Sequence, residues 1–293
     1  MNWEIILIIS LLIWVLGATL FKSITKKLPQ SKALSVIFFL CAIIMLGYNL
    51  IFKTFQFEQA FLLISVVGFI NAYGSYCQLR AYKYSLSKTS LFLPLSGLIT
   101  VGLAALFLGE STIYNFKVLI GVLLLFVATF LLSVKKGRVK KEKIGKEWLL
   151  FTLGMVLIWG MAFFMVKFFS FSIPKETFLL YWYIGAFFSS LSIIGLGRII
   201  KIEEKTENRL IQKGFWRIPL ASLAILGSLA TTYWVFQLAP AGAVEPIRRF
   251  GMGFLPILIG WFGFKEKKEL TKIQLLGFIS GIAGISLVIL GIY

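Results

Sequence analysis

The sequence predicts an all-α polytopic membrane protein, and three observations carry that prediction. The chain of 293 residues is 59% hydrophobic and only 14% charged, whereas soluble domains carry roughly 25% charged residues. Apolar runs recur from end to end, and each has about the 20 residues that a helix needs to cross a ~30 Å hydrocarbon core. Lysine and arginine concentrate in the short segments between these runs, as in membrane proteins.

Ten spans follow from the apolar runs. They cover approximately 3–21, 33–52, 59–79, 88–108, 116–134, 148–166, 177–197, 218–238, 244–264 and 273–292. The first run is predicted to be a span and not a signal peptide, because it lacks a basic start and a small-residue cleavage site.

One pattern occurs twice. The stretch LIWVLGATLFK at 12–22 returns as LIWGMAFFMVK at 157–167, with an offset of 145 residues. Both begin Leu-Ile-Trp, and both end on a lysine eight residues after the tryptophan. The first helices of two related halves would explain the repetition.

A glutamate and a glycine with the same spacing occur near the end of each half. Gly121 follows Glu110 by eleven residues, and Gly277 follows Glu266 by eleven, with an offset of 156 residues between the two pairs. The eleven extra residues fit the longer polar connection at 198–217. Two pairs in the same order are better evidence for an internal repeat than one.

The predicted organisation is therefore a first five-helix repeat at 1–134, a basic connecting loop at 135–147, and a second five-helix repeat at 148–293. Because five spans is an odd number, the second repeat enters the membrane from the opposite side. The fold class is then ten transmembrane helices in two inverted repeats, an architecture known among secondary transporters.

These features resemble the EamA family of the drug/metabolite transporter superfamily. The tryptophan segments at Trp14 and Trp159-Gly160, the Gly109-Glu110 element and the five-plus-five division carry the resemblance, although the counterpart of Gly109 in the second half is Lys265. The resemblance implies secondary transport of small metabolites, such as amino acids, sugars or drugs, by alternating access with exchange or proton coupling.

Several function classes are excluded by composition. The chain has no histidine and no aspartate, and it contains no G-x-x-x-x-G-K-[ST] phosphate loop. Metal sites built on histidine, Ser-His-Asp catalysis and ATP hydrolysis are not expected. We therefore predict no enzyme activity, no cofactor and no metal. The net charge of +18 is assigned to the loops, so no nucleic-acid partner is expected.

The most informative segment is AGAVEPIRRFG, which contains Glu245, Arg248 and Arg249. At spacings of three and four residues, both arginines can meet the glutamate on one helix. Ionisable groups in a span are costly and commonly functional. Glu245 would couple protons, or the arginines would hold an anionic substrate. Alternatively, Glu245 marks a helix start beside Pro246 and complements the helix dipole.

Six further residues are candidates for a substrate cavity. Trp14 and Trp159 lie about 12 Å along a helix from Lys22 and Lys167. If those lysines reach the headgroups, the tryptophans lie near the midplane, as core packing or as a cavity wall. The remaining candidates are polar or amphipathic side chains within spans, which would either form hydrogen bonds to neighbouring helices or line a cavity. They are Asn71, Tyr76, Trp234 and Gln237.

The leading hypothesis is a multi-pass transporter of the prokaryotic plasma membrane. Its expected partners are a small-molecule substrate and the lipid bilayer that surrounds it. The alternatives are a flippase for lipid-linked substrates and a non-transporting subunit or sensor. Gly277-x-x-x-Gly281 permits either packing within the chain or a dimer face, so a monomer and a homodimer are both possible. The predicted spans place 24 of the 30 Lys and Arg residues on one side of the membrane, which predicts termini outside, whereas the family resemblance predicts them inside.

Overall fold

The computed structural model describes residues 2–25, 29–56, 60–84, 89, 92–133, 145–199, 216–263 and 272–292, and all regular structure in them is helical. The ten α-helices of this part of the chain are α1 Trp3–Thr25, α2 Gln30–Ile51, α3 Ala60–Tyr84, α4 Leu93–Phe107, α5 Phe116–Ser133, α6 Lys146–Phe169, α7 Lys175–Ile199, α8 Arg217–Leu238, α9 Ala241–Gly263 and α10 Lys272–Ile292. A short 3-10 helix, Glu110–Ile113, follows α4.

Seven of these helices are long and apolar enough to cross a membrane, namely α1, α2, α3, α6, α7, α8 and α10. Helices α4 and α5 provide shorter apolar stretches, and α9 contains three charged residues. Large apolar side chains also face outward, with Leu106 and Phe116 each 78% exposed. Extensive apolar exposure of this kind suits a lipid environment and not water. The predicted helical membrane class is thus supported at the level of helix length and composition.

The chain forms two compact units, and each takes helices from both halves of the sequence. The first unit comprises Met1–Leu79 and Phe169–Gln237, and the second comprises Arg80–Phe168 and Leu238–Tyr293. Helices α1, α2, α7, α8 and most of α3 belong to the first unit. Helices α4, α5, α9, α10 and nearly all of α6 belong to the second.

In the first unit, α3 and α7 approach each other at two glycines. A Cβ on Gly68 would collide with the backbone of Trp182, and a Cβ on Gly185 would collide with the backbone of Ser65. The Ser65 hydroxyl donates to the Tyr181 carbonyl at 3.0 Å. Only a residue without a side chain lets the two backbones come this close.

We expect the substitution Gly185→Ala to lower the free energy of unfolding by about 1–3 kcal/mol, because the added methyl group has to displace the Ser65 backbone. The matched control is Gly195→Ala on the same helix, where an added Cβ meets nothing within 4 Å. Denaturation of both variants in detergent checks the prediction. Equal stability of the two would contradict the close approach of α3 and α7.

In the second unit, α5 and α10 pack through small residues. A Cβ on Gly121 would lie 2.8 Å from the Gly284 carbonyl oxygen, and a Cβ on Gly277 would lie 3.1 Å from the Ala128 carbonyl oxygen. Gly281 faces the ring of Phe250 on α9. Both glycines of the Gly277-x-x-x-Gly281 pattern therefore serve packing within the chain, which is one of the two roles that the sequence allowed.

Candidate functional site

The beginning of α9 is fixed by a residue of the loop after α4. Gly109 adopts a φ of +70°, which favours glycine, and the chain then enters the 3-10 helix at Glu110. The Glu110 carboxylate accepts hydrogen bonds from the backbone N–H of Ala241 at 2.9 Å and of Gly242 at 3.4 Å. A carboxylate at this place satisfies unpaired N–H groups and complements the helix dipole.

Lys167 completes this arrangement from the end of α6. Its ammonium lies 3.5 Å from Glu110 Oε1 and donates to the Ala239 carbonyl at 3.0 Å. Only 3% of Lys167 is exposed, so the expectation that its side chain reaches the headgroups is wrong. The side chain of Lys22, its counterpart in the repeat, lies outside the described residues. Lys167 and Glu110 together anchor the N-terminus of α9.

Glu245 lies in the second turn of α9 and not at its start. The helix begins at Ala241, so Pro246 is its sixth residue. The interpretation of Glu245 as the residue at the helix start is therefore wrong. The carboxylate that caps the start of α9 is that of Glu110. Pro246 has no N–H, so the Gly242 carbonyl cannot receive the usual helical hydrogen bond from residue 246.

Glu245 forms a buried ionic cluster with Arg248 and Arg249, hereafter the Glu245 cluster. Arg248 Nη1 donates to Glu245 Oε1 at 2.7 Å, and Arg249 Nε donates to Glu245 Oε2 at 2.8 Å. The exposed fractions are 0% for Glu245, 4% for Arg248 and 1% for Arg249. One carboxylate thus holds two guanidinium groups, through the three- and four-residue spacings that the sequence indicated.

Two aromatic rings of α6 cover the guanidinium groups. The Arg248 guanidinium carbon lies 3.9 Å from the Phe163 ring centroid. The Arg249 carbon lies 4.9 Å from the Phe163 centroid and 5.5 Å from the Trp159 centroid. These distances are within the range of cation–π attraction, which is stronger for desolvated groups. Trp159 is therefore part of the Glu245 cluster's surroundings.

The Glu245 cluster is not fully compensated among the described residues. One carboxylate and two guanidinium groups leave a net charge of +1. Arg249 Nη1 and Nη2 are buried without a hydrogen-bond partner in the described part of the chain, and so is Trp159 Nε1. The nearby pair of Glu110 and Lys167 is neutral and cannot offset the charge.

Arg249 lines a small cavity inside the second unit. The cavity has a volume of about 10 Å³, which is room for about one water molecule. Its wall is mostly apolar, with Leu98 from α4, Leu125 and Phe126 from α5, and Phe250 from α9. A mostly apolar cavity with a charged residue in its wall is a feature of many ligand sites.

Gly97 on α4 leaves room for the stem of Arg249. A Cβ at this position would lie 3.0 Å from Arg249 Cγ and 3.7 Å from Glu245 Oε2. The cluster is therefore enclosed by α4, α6 and its own helix α9. Three helices fix the position of these charged groups.

The other predicted site residues belong to the first unit. Trp14, Asn71 and Tyr76 are partly buried there, while Gln237 is exposed and Trp234 is 39% exposed. The Lys175 ammonium lies 5.5 Å from the Trp234 ring centroid. Of the nine predicted residues, the structure brings together four in one unit: Trp159, Glu245, Arg248 and Arg249.

Sequence reasoning missed Phe163 and the capping role of Glu110. Phe163 follows Trp159 by four residues and so shares its helix face, a signal that was available in the sequence. Glu110 and Ala241 are 131 residues apart, and nothing local in the sequence links them.

Comparison with known proteins shows the fold alone. No family model and no curated protein matches the chain. Among 28 matching chains of solved structures, one is a crystal structure whose name gives no function; it has a TM-score of 0.74 and 15% identity, covering 98% of this chain and 96% of that chain. This similarity shows a shared fold over nearly the whole length of both chains.

Proposed function

We propose that the chain is a secondary transporter of small metabolites, of the EamA-like drug/metabolite type, which exchanges anionic substrates by alternating access. Its ten helices would be ten spans arranged as two inverted repeats. The Glu245 cluster would be the part of the carrier that binds the anion.

The contacts within each unit support the inverted repeat. Each of α2, α4 and α5 packs against the helix five places later in the order, namely α7, α9 and α10. The contact of Gly121 with Gly284 has a counterpart in the contact of Gly277 with Ala128. Position 121 plus 156 is 277, and position 284 minus 156 is 128, so each helix of the first contact is exchanged for its counterpart in the second. The value 156 is the offset between the two Glu-Gly pairs of the repeat. A pseudo-two-fold axis produces such reciprocal contacts.

The observation that carries the function is a buried net positive charge with unused donors. Taking charges out of water costs several kcal/mol per ion unless they are paired. Apolar residues of similar size would stabilise a purely structural helix at least as well. Ionisable groups within a span are therefore a functional hypothesis, and the partner they lack here is an anion.

The same charges favour exchange over proton coupling. Both oxygens of Glu245 accept hydrogen bonds from guanidinium groups, so a proton would have to displace an ion pair. An empty carrier would have to enclose the excess charge of the Glu245 cluster, at an electrostatic cost that a bound anion removes. The loaded carrier therefore changes conformation more readily than the empty one.

Flux into liposomes tests the proposal. The purified full-length chain is reconstituted and offered labelled carboxylates, amino acids, sugars, nucleosides and phosphate, with and without unlabelled solute inside. We expect saturable uptake of an anionic class, accelerated by the same solute on the far side and unaffected by a pH gradient. Absence of protein-dependent flux for every class, or flux driven by the pH gradient, would contradict the proposed function.

A further inference from the structure

We infer that the ligand at Arg249 is a monocarboxylate with an apolar body. The inference rests on the proposed function and narrows it to one chemical class. Its evidence is the charge, the donor geometry and the wall of the cavity in the second unit.

Charge selects a monoanion. The Glu245 cluster carries one negative and two positive groups, so one further negative charge makes the occupied site neutral. A phosphate dianion would leave the site with excess negative charge instead, and an uncharged solute would leave the positive charge uncompensated. Enclosing a net charge away from water is costly in either case.

The donor geometry suits an oxyanion that accepts two parallel hydrogen bonds, as a carboxylate does. Arg249 Nε is occupied by Glu245 at 2.8 Å, while Nη1 and Nη2 are buried and have no partner among the described residues. A guanidinium group presents its donors in one plane, a geometry that suits two parallel hydrogen bonds to a carboxylate. The Trp159 indole N–H is a third unused donor, on the ring whose centroid lies 5.5 Å from the Arg249 guanidinium carbon.

The cavity wall disfavours a zwitterionic amino acid. An ammonium group needs acceptors, yet none of the described residues that line the cavity is a carboxylate. The Thr129 hydroxyl, which donates to the Leu125 carbonyl at 2.8 Å, leaves only one neutral oxygen as an acceptor, and Glu245 is engaged by both arginines. The apolar wall formed by Leu98, Leu125, Phe126 and Phe250 instead suits a hydrocarbon body.

Ligand entry requires the site to open. A cavity of about 10 Å³ holds about one water molecule, which is less than a carboxylate with its body. Alternating access supplies this opening.

Binding to the purified full-length chain tests the inference without relying on transport. The probes are butyrate, hexanoate and octanoate, with butyramide as the uncharged match, 2-aminobutyrate as the zwitterionic match, and inorganic phosphate. We expect the monocarboxylates to raise the melting temperature in a saturable manner and the three other probes not to do so. The variant Arg249→Gln should weaken monocarboxylate binding at least about tenfold, since charged hydrogen bonds are lost.

Two further variants separate binding from folding. Trp159→Phe keeps the aromatic ring and removes one donor, so we expect about fivefold weaker binding. Lys175→Gln removes one positive charge in the first unit and should leave binding unchanged. Stabilisation by phosphate or 2-aminobutyrate equal to that by the monocarboxylates, unchanged affinity in a folded Arg249→Gln variant, or no stabilisation by any probe would overturn the inference.

The outcomes distinguish this inference from the proposed function. If another solute class exchanges in liposomes while no monocarboxylate binds, transport stands and the inferred substrate class is wrong. If monocarboxylates bind at Arg249 but no solute crosses the membrane, the site is correctly assigned and the transport function is wrong.

Discussion

Replacing Glu245 by glutamine should lower the free energy of unfolding by about 3–5 kcal/mol, the cost of leaving buried charges without their partner. The carboxylate accepts hydrogen bonds from Arg248 at 2.7 Å and from Arg249 at 2.8 Å, and it is 0% exposed. Glutamine retains nearly the same shape and one acceptor oxygen but no charge. The net charge of the cluster would rise from +1 to +2 with no described residue to offset it. Denaturation of the purified protein in detergent measures the loss.

A triple variant shows whether charge is the cause. Combining Glu245→Leu with Arg248→Met and Arg249→Met removes all three charges and keeps similar volumes. Replacement of a whole buried ionic group by apolar residues is commonly neutral or stabilising, so the triple variant should be more stable than Glu245→Gln alone. Wild-type stability in Glu245→Gln would contradict the description of the cluster as a buried network held by one carboxylate.

Replacing Arg249 by glutamine should slow exchange about tenfold or more and also change its character. The slower exchange follows from the loss of charged hydrogen bonds to the substrate. The remaining pair of Glu245 and Arg248 is neutral, so the empty carrier no longer encloses an excess charge. The residual uptake should therefore depend much less on solute inside the liposome. The measurement is the ratio of uptake with and without internal solute, which should fall towards one.

Two controls accompany this prediction. Arg249→Lys keeps the charge and loses the planar pair of donors, so exchange should be slower while its dependence on internal solute remains. Lys175→Gln removes a positive charge in the first unit and should leave both the rate and the ratio unchanged. A folded Arg249→Gln variant that slows uptake without changing the ratio would contradict the role given to the charge of the empty site.

Most helix positions could be predicted from the sequence because hydrocarbon thickness sets the length of an apolar run. The predicted 273–292 and the observed α10, Lys272–Ile292, differ by one residue. The start of α9 was placed three residues too late, at 244 instead of Ala241. Its first turn, Ala-Gly-Ala-Val, contains no capping side chain, and the cap comes from Glu110, which is remote in sequence.

The candidate site could be predicted where its contacts are local. Spacings of three and four residues link Glu245 to Arg248 and Arg249 on any helix. The closeness of Trp159 to Arg249 depends on the packing of α6 against α9, and the sequence gives no measure of it. The pairing of Lys167 with Glu110 could not be predicted, because the two residues are 57 positions apart in the sequence and no local rule connects them. Without that partner, a lysine near the end of a span was expected to reach the headgroups.

The measurement that tests the central claim most directly is uptake of a labelled monocarboxylate such as hexanoate into liposomes containing the wild-type chain. Uptake is followed with and without unlabelled hexanoate inside, at zero and at an imposed membrane potential. Because a monoanion neutralises the site and one anion replaces another, we predict that the uptake in excess of protein-free liposomes is rapid only with internal hexanoate and does not respond to the potential. Equal protein-dependent uptake with and without internal hexanoate, or protein-dependent uptake driven by the potential, would contradict the account.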